Sequence, residues 1–200
     1  MIKIILASGN KDKIREAREI FDSQKFQIIS MKDAGIESDP EENGETFEDN
    51  AEIKARDVWN KCGGYVMADD SGIEIDAMPD ELGVRSARFM GHDTSYSIKN
   101  KAILDKLQDV PFEKRTARFV CAIALIDPSG KVYFTKGKME GYIAEKIQGE
   151  NGFGYDPIFY LKEYGCTSAA LTEGQKNAIS HRGKAVRAMR DLLEKQEENN

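Results

Sequence analysis

The run Ala68-Asp69-Asp70-Ser71-Gly72 sets two carboxylates, a hydroxyl and a glycine directly after the apolar pair Val66-Met67. Apolar residues suit a buried strand, whereas Asp, Ser and Gly form turns, so the carboxylates are expected where a strand leaves the core. In open α/β sheets, ligands bind at such strand ends. Neighbouring strand residues face opposite sides, so Asp69 and Asp70 are expected to do different work unless the turn swings them together.

Four further stretches carry chemistry. In Ser8-Gly9-Asn10-Lys11-Asp12-Lys13 an apolar strand meets a small-residue turn and then a helix. The start of a helix presents unsatisfied N–H groups that favour anions. Lys11 and Lys13 sit where the helix dipole disfavours cations, a conflict that a bound phosphate would remove. The spacing is not that of a Walker A loop. Residues 41–56 combine an acidic loop, including Glu41 and Glu42, with a helix start. Loop carboxylates can serve Mg²⁺, which uses only one or two of them beside waters and substrate phosphate. Asn50 and Lys54 share a helix face at the edge of the apolar stripe, where the lysine could meet a phosphate or a carboxylate.

Residues 149–159 interleave Gly149, Gly152 and Gly154 with Phe153, Tyr155 and Asp156. Glycines allow close backbone approach to a flat ligand; Phe153 or Tyr155 could stack on a base, and Asp156 or backbone amides could read its edge. The loop leads into Pro157 and a strand rather than a helix, unlike a dinucleotide fingerprint. Finally, Lys176, His181 and Arg182 gather donors in an acidic chain, with Ser180 able to cap the last helix. Each stretch alone has an ordinary structural explanation as a cap, a solvated loop or a packed aromatic turn. Together they supply what a nucleoside triphosphate with Mg²⁺ would need.

These residues require elements to position them. Strands are expected at residues 2–7, 26–30, 115–126 and 131–136, with another near 141–147 and a short one at 158–160. Helices are expected at residues 11–22, 46–62 (opened by a capping box at Thr46), from a cap at Thr94 or Ser95 to about 108, and from about 181 until the polar tail 194–200 frays. Such alternation, with one hairpin turn at Asp127-Pro128-Ser129-Gly130, predicts an α/β mixed sheet in a single domain. The chain has 200 residues, 40% hydrophobic and 32% charged, enough for a real core. A net charge of −6 argues against nucleic acid as a partner, so a polyanion must be held by a local cluster of cations. Three scattered cysteines with no metal-ligand spacing read as free thiols in a reducing cytoplasm. The apolar start is too short for a signal peptide, and no run is long enough to enter a membrane.

Taken in order, Ser8-Gly9-Asn10-x-x-Lys13, Glu41 with Thr46-Phe47-x-x-Asn50-Ala51-x-x-Lys54-Ala55, Ala68-Asp69-Asp70-Ser71-Gly72, Ser86-Ala87-Arg88-Phe89, Gly152-Phe153-Gly154-Tyr155-Asp156-Pro157 and Ser180-His181-Arg182-Gly183 span nearly the whole chain. Each motif is weak alone, but the ordered set is specific. It resembles the non-canonical purine NTP pyrophosphatase family, the inosine/xanthosine triphosphate pyrophosphatases. The resemblance implies a homodimeric α/β fold with an elongated mixed sheet, two lobes and a cleft between them. It implies Mg²⁺-dependent cleavage of ITP, dITP or XTP between the α- and β-phosphates, cleansing the nucleotide pool. Carried over by position, Ser8, Gly9, Asn10, Lys13 and Lys54 would hold the phosphates. Glu41 and Asp70 would be metal carboxylates, with Glu42 and Asp69 as neighbouring candidates. Asp70 would also accept the proton of the attacking water, and Ser71 would touch substrate. Phe153, Gly154, Tyr155, Asp156, Lys176, His181 and Arg182 would bind the nucleotide, chiefly at its base. Ser8 stands where many relatives have Thr; either hydroxyl can donate to a phosphate.

Direct attack by water fits the absence of a Ser-His-Asp set or a DxDxT motif. A site that hydrogen-bonds a 6-oxo purine would reject a 6-amino purine, because its buried groups would be left unpaired. Two alternatives stand beside this reading: a pyrophosphatase for other modified nucleotides, and a nucleotide sensor without turnover. A sensor has no need of a water-activating carboxylate.

Overall fold

Three isoleucines and a leucine in five residues build β1 (Ile2–Leu6), and the computed structural model, which describes residues 1–21 and 24–198, sets it inside a seven-stranded sheet. The strand order is β2-β1-β3-β4-β5-β6-β7. Here β2 is Phe26–Ser30, β3 Tyr65–Ile75, β4 Thr116–Ile126, β5 Val132–Ile143, β6 Phe159–Leu161 and β7 Cys166–Thr167. β1 runs parallel to β2 (Ile4 opposite Ile28) and to β3 (Leu6 opposite Met67), while β6 is antiparallel to both β5 and β7. The sheet is therefore mixed, with helices flanking it: α1 (Lys11–Ile20), α2 (Phe47–Cys62), α3 (Tyr96–Lys106), α4 (Glu173–Ile179) and α5 (His181–Glu198).

Local chemistry explains the boundaries. Asn10 caps α1, its side chain accepting the N–H groups of Asp12 and Lys13. Thr46 and Asp49 form the reciprocal capping box of α2, an arrangement worth about 1 kcal/mol, and Gly63 ends that helix at a φ of 63°. Both strand-forming patterns around the 127–130 turn hold, with Asp127 accepting from the N–H groups of Ser129 and Lys131.

The main departure from expectation lies in β3. Asp69, Asp70, Ser71 and Gly72 do not turn; the strand continues through them for eleven residues. Turn-forming residues stay extended here because the neighbouring elements bring a cation to each carboxylate, which answers the cost of burying it. The carboxylates are thus in mid-strand, not at its end. Another difference is β5, one strand through Ile143, so no separate strand begins at Gly141. β7 and the short α4 escape the sequence patterns because two and seven residues are too few to show a period. α5 continues through Glu198 instead of fraying from 194, while residues 199–200, like the expected helix end at Asp22, lie outside the described residues.

The chain divides into two compact units. The first comprises residues 1–70, 121–137 and 181–200. It is a three-layer arrangement. On one side of the sheet Ile4, Leu6, Met67, Cys121 and Ile123 pack with Ala17 and Phe21 of the α1 segment and with Ala185, Val186 and Met189 of α5. On the other side Ala7, Val66, Ala68, Ala124 and Ile126 pack with Ala51, Ala55 and Val58 of α2. Strand alternation sorts β3 between these layers, Met67 to one side and Val66 and Ala68 to the other. The second unit comprises residues 71–120 and 138–180. Its core joins Ile73 and Ile75 of β3 to Ile103 and Leu107 of the α3 segment, Phe119, Ile143, Tyr155 and Phe159. Among the described residues, no helix is long and apolar enough to cross a membrane. The three cysteines are free thiols.

Candidate active site

Alternation on β3 continues past Ala68 and sends the two aspartates to different partners. Asp69, only 4% exposed, meets Lys13 Nζ at 2.8 Å and Arg182 Nε at 3.3 Å. Arg182 in turn reaches Glu16 at 3.5 Å. Lys13 and Glu16 come from α1 and Arg182 from α5, the two helices that cover this side of the sheet. Burial alone would raise the Asp69 pKa; the charges of Lys13, Arg182 and Lys54 outweigh it and hold the carboxyl far below the usual range. Burial likewise opposes the charge on Arg182, and Asp69 more than restores it. Two carboxylates meet two cations in this cluster.

On the α2 side, Asp70 Oδ1 accepts from Lys54 Nζ at 2.9 Å, and the same ammonium reaches Glu42 at 3.3 Å. Asn50, fully buried one turn before Lys54, donates its Nδ2 to Asp70 Oδ2 at 3.4 Å and accepts from the Gly44 N–H at 2.8 Å. Asn50 therefore links the acidic loop to the strand carboxylate. The loop must pass tightly over the helix start: a Cβ on Gly44 would lie 2.6 Å from that of Asp49 and 2.7 Å from Asn50 Oδ1. Burial raises the Asp70 pKa; Lys54 opposes this, while Glu42 and Asp69 add to it, and the net shift is upward. The Lys54 pKa also rises, because Asp70, Asp69 and Glu42 overcome its own burial. Here two carboxylates share one ammonium.

The paired acids thus meet different partners. The neighbouring Asp70 and Glu42 oxygens suit a hard cation. Glu41 is exposed, and its neighbour Glu42 is the one that joins Lys54. Among the described residues no three His, Cys, Asp or Glu side chains cluster as a complete metal cage. A site of two carboxylates completed by substrate oxygens matches what Mg²⁺ ordinarily requires.

The turn after β1 differs in detail from expectation. Asn10 Oδ1 takes the Asp12 and Lys13 N–H groups at 2.9 and 3.2 Å, so two donors of the helix start are already used. Ser8 Oγ accepts from the Asn10 N–H at 3.2 Å, which closes the turn. The cation at Lys13, disfavoured by the helix dipole, is answered by Asp69. Gly9 faces open space, with nothing near the position of a Cβ.

α5 begins at His181, buried with Arg182 against the sheet. Its first turn is docked on β5: Thr135 Oγ1 donates to the Ala185 carbonyl at 2.8 Å. At Gly137 the approach is so close that a Cβ would stand 2.1 Å from the His181 carbonyl oxygen and 2.8 Å from the Ala185 nitrogen. The first unit thus holds Ser8–Lys13, Glu42, Lys54, Asp69, Asp70, His181 and Arg182, with Lys13 and Arg182 joined to Asp69 and Lys54 joined to Asp70 and Glu42. Ser71 follows Asp70 directly along β3.

The second unit holds the aromatic glycine loop. Phe153 leaves 44% of its surface exposed, whereas Tyr155 is 4% exposed, so Phe153 is the ring with a face to offer. Lys176 Nζ lies 4.9 Å from the Phe153 ring centroid and forms a short ion pair with Asp156. The Asp156 carboxylate also accepts from the Phe153 N–H at 2.8 Å and from Ser168 Oγ at 2.7 Å. Both of its oxygens hold the loop itself, which leaves backbone groups as the readers of a ligand edge. Gly152, at a φ of 77°, is obligatory: a Cβ would meet Asp156 Oδ2 at 2.3 Å and Lys176 Nζ at 2.9 Å. Gly154 carries the chain onward at a φ of 67°.

Sequence reasoning missed Glu16, Ser168 and the linking role of Asn50. Glu16 was visible only as an i+3 neighbour of Lys13; its partner Arg182 lies at the other end of the chain. Ser168 follows a two-residue strand that has no sequence signature.

The chain is similar to known proteins in sequence and in fold. The profile of the Ham1 family matches residues 4–192. The dITP/XTP pyrophosphatase of Exiguobacterium sibiricum is 43% identical over 192 residues, covering 96% of this chain and 97% of that protein. That of Caldanaerobacter subterraneus is 42% identical over 201 residues, covering all of both chains. The solved Ham1 protein of Staphylococcus aureus superposes with a TM-score of 0.88 at 38% identity, covering 97% of this chain and 99% of that one. The HAM1 protein of Coxiella burnetii gives 0.89 at 37%, covering 98% and 100%. Matched along nearly its whole length in sequence and in fold, the chain belongs to the Ham1 family.

Proposed function

We propose that the protein is a Mg²⁺-dependent nucleoside triphosphate pyrophosphatase that converts ITP, dITP or XTP to the monophosphate and pyrophosphate, and so clears deaminated purines from the nucleotide pool. The observation that carries the reading is Asp70. It is a buried carboxylate in mid-strand, held by Lys54 and Asn50 and raised in pKa by burial and by Glu42. Such a group can take a proton from water. The relatives at 42–43% identity, named dITP/XTP pyrophosphatases, support the choice of substrate.

In this mechanism water attacks the α-phosphorus, and the Asp70 carboxylate receives the proton that the water loses. The α–β phosphoanhydride bond breaks, the water oxygen stays on the monophosphate, and the bond electrons leave with pyrophosphate. Lys54 and Lys13 offset charge gathering on the phosphate oxygens. Asp70 and Glu42 are the residues that would hold Mg²⁺. When bound, the ion supplies further neutralisation of phosphate charge and helps to align the chain of phosphates. The Ser8-Gly9-Asn10 turn orients the triphosphate. Phe153 stacks on the base, with Lys176, His181 and Arg182 as the side chains that address the nucleotide. Family membership also underlies two accompanying expectations, a homodimer and a cytoplasmic location.

The test offers ITP, XTP, GTP, ATP and dUTP with Mg²⁺ and separates the products. Monophosphate plus pyrophosphate from ITP and XTP, with little from ATP, is the expected outcome. Release of orthophosphate alone would contradict α–β cleavage. Binding without products would make the protein a sensor.

A further inference from the structure

The Ser86-Ala87-Arg88-Phe89 motif has no part in the reaction described above, yet its backbone is tied to the aromatic loop by a buried set of bonds. Ser86 Oγ accepts from the Ile73 N–H at 2.9 Å, which fixes the motif to β3 three residues beyond Asp70. The carbonyl of Ser86 then accepts the Tyr155 hydroxyl at 2.6 Å. Two consecutive residues of α3 complete the set. Lys99 Nζ donates to the Ala87 carbonyl, and Asn100 Nδ2 donates to the Gly154 carbonyl at 3.1 Å. Tyr96, one turn earlier, lays its ring edge-on to Tyr155 with centroids 5.2 Å apart. Lys99 and Asn100 are 1% and 3% exposed, values unusual for such polar side chains unless they are structurally committed.

We propose that Ser86, Asn100 and Tyr155 are positioning residues for purine binding: they clamp the loop that carries Phe153 to β3 and α3, so that its exposed ring is held ready before the base arrives. The inference rests on the proposed function and deepens it. Tyr155 serves from beneath the loop, with its hydroxyl spent on Ser86, and Phe153 is the ring that stacks on the base. Clamping in advance removes the ordering cost that a mobile glycine loop would impose at the moment of binding. A glycine on either side of Phe153, at φ of 77° and 67°, makes such a cost large without a clamp.

The test compares wild type with Tyr155→Phe and Asn100→Ala. Tyr155→Phe keeps the ring packed on Tyr96 and removes only the hydroxyl, so it remains informative even if Asn100→Ala folds poorly. Three quantities are read: KM for ITP, kcat, and the inhibition constant of inorganic tripolyphosphate, a probe with no base. Each variant is expected to raise KM about tenfold, the size of one lost buried hydrogen bond, while kcat and the tripolyphosphate constant stay near wild type. An unchanged KM in Tyr155→Phe would overturn the inference. So would a parallel rise in KM and in the tripolyphosphate constant, since that marks general loosening. A wild-type protein that releases no pyrophosphate from ITP would overturn the proposed function, and this inference with it.

Discussion

Asp69 and Asp70, covalent neighbours on β3, are held by different lysines, Lys13 at 2.8 Å and Lys54 at 2.9 Å. One carboxylate ties α1 and α5 to the sheet; the other faces α2 and the acidic loop. Their substitution should therefore fail in different ways.

Asp69→Asn takes the carboxylate from the buried Arg182 and from the half-buried Lys13. Breaking a buried ion pair from one side costs about 3–5 kcal/mol. The expected result is a lower urea midpoint with the slope unchanged. An unaltered midpoint would show that Asp69 has no part in holding the two helices.

Asp70→Asn removes the proton acceptor but leaves Lys54 with Glu42. Stability should fall by less than in Asp69→Asn, while kcat for ITP drops by about 10²–10⁴, the range that general-base catalysis supplies. Far-ultraviolet circular dichroism checks that the fold persists. Turnover at the wild-type rate would remove Asp70 from its role.

Mg²⁺ binding is expected to raise the melting temperature, since a ligand at a hundredfold its Kd stabilises by about 2.7 kcal/mol. Glu42→Gln and Asp70→Asn should each diminish that rise, whereas Glu41→Gln should leave it in place. Chelation by EDTA should abolish pyrophosphate release from ITP in the wild type. A rise that survives Glu42→Gln but disappears in Glu41→Gln would reverse the assignment of the acidic pair.

A pH effect on stability is expected from the turn after β4. Burial is the largest single influence on Asp127 and opposes its charge, but the Ser129 hydroxyl, the Lys131 and Ser129 N–H groups and the Tyr133 hydroxyl together prevail, and its pKa is lowered on folding. A depressed carboxylate contributes stability above its unfolded pKa, about 3.9, and loses it as pH falls through the lower folded value. The turn is largely exposed, so the contribution is small after solvent screening. Wild type should thus lose more of its melting temperature than Asp127→Asn as pH drops below about 4. Parallel curves would mean that the turn bonds leave Asp127 unshifted.

Much of this was legible in the residues themselves. The capping box at Thr46, the turn at Asp127 and the alternation of β4 are local patterns, and each produced the element expected. The Asp69-Asp70-Ser71-Gly72 run misled because turn propensity is also local, and the partners that keep β3 extended there come from α1, α2 and α5. The choice between Glu41 and Glu42 was equally beyond reach: one residue of register in a loop decides which carboxylate meets Lys54. Asp156 illustrates the converse. Its place in an aromatic loop suggested an open reader of a base, but Ser168 and Lys176, distant in sequence, take both of its oxygens.

Gly137 lies on β5, outside every motif that carries the chemistry, yet even one methyl group there would collide with the His181 carbonyl. The collision forces β5 and the first turn of α5 apart, and His181 and Arg182 are displaced relative to the sheet with it. Gly137→Ala should therefore behave as a double lesion delivered by remote control: His181 and Arg182 both displaced by a change that never touches either side chain. A survey of harmful variants guided only by distance to the substrate would overlook it.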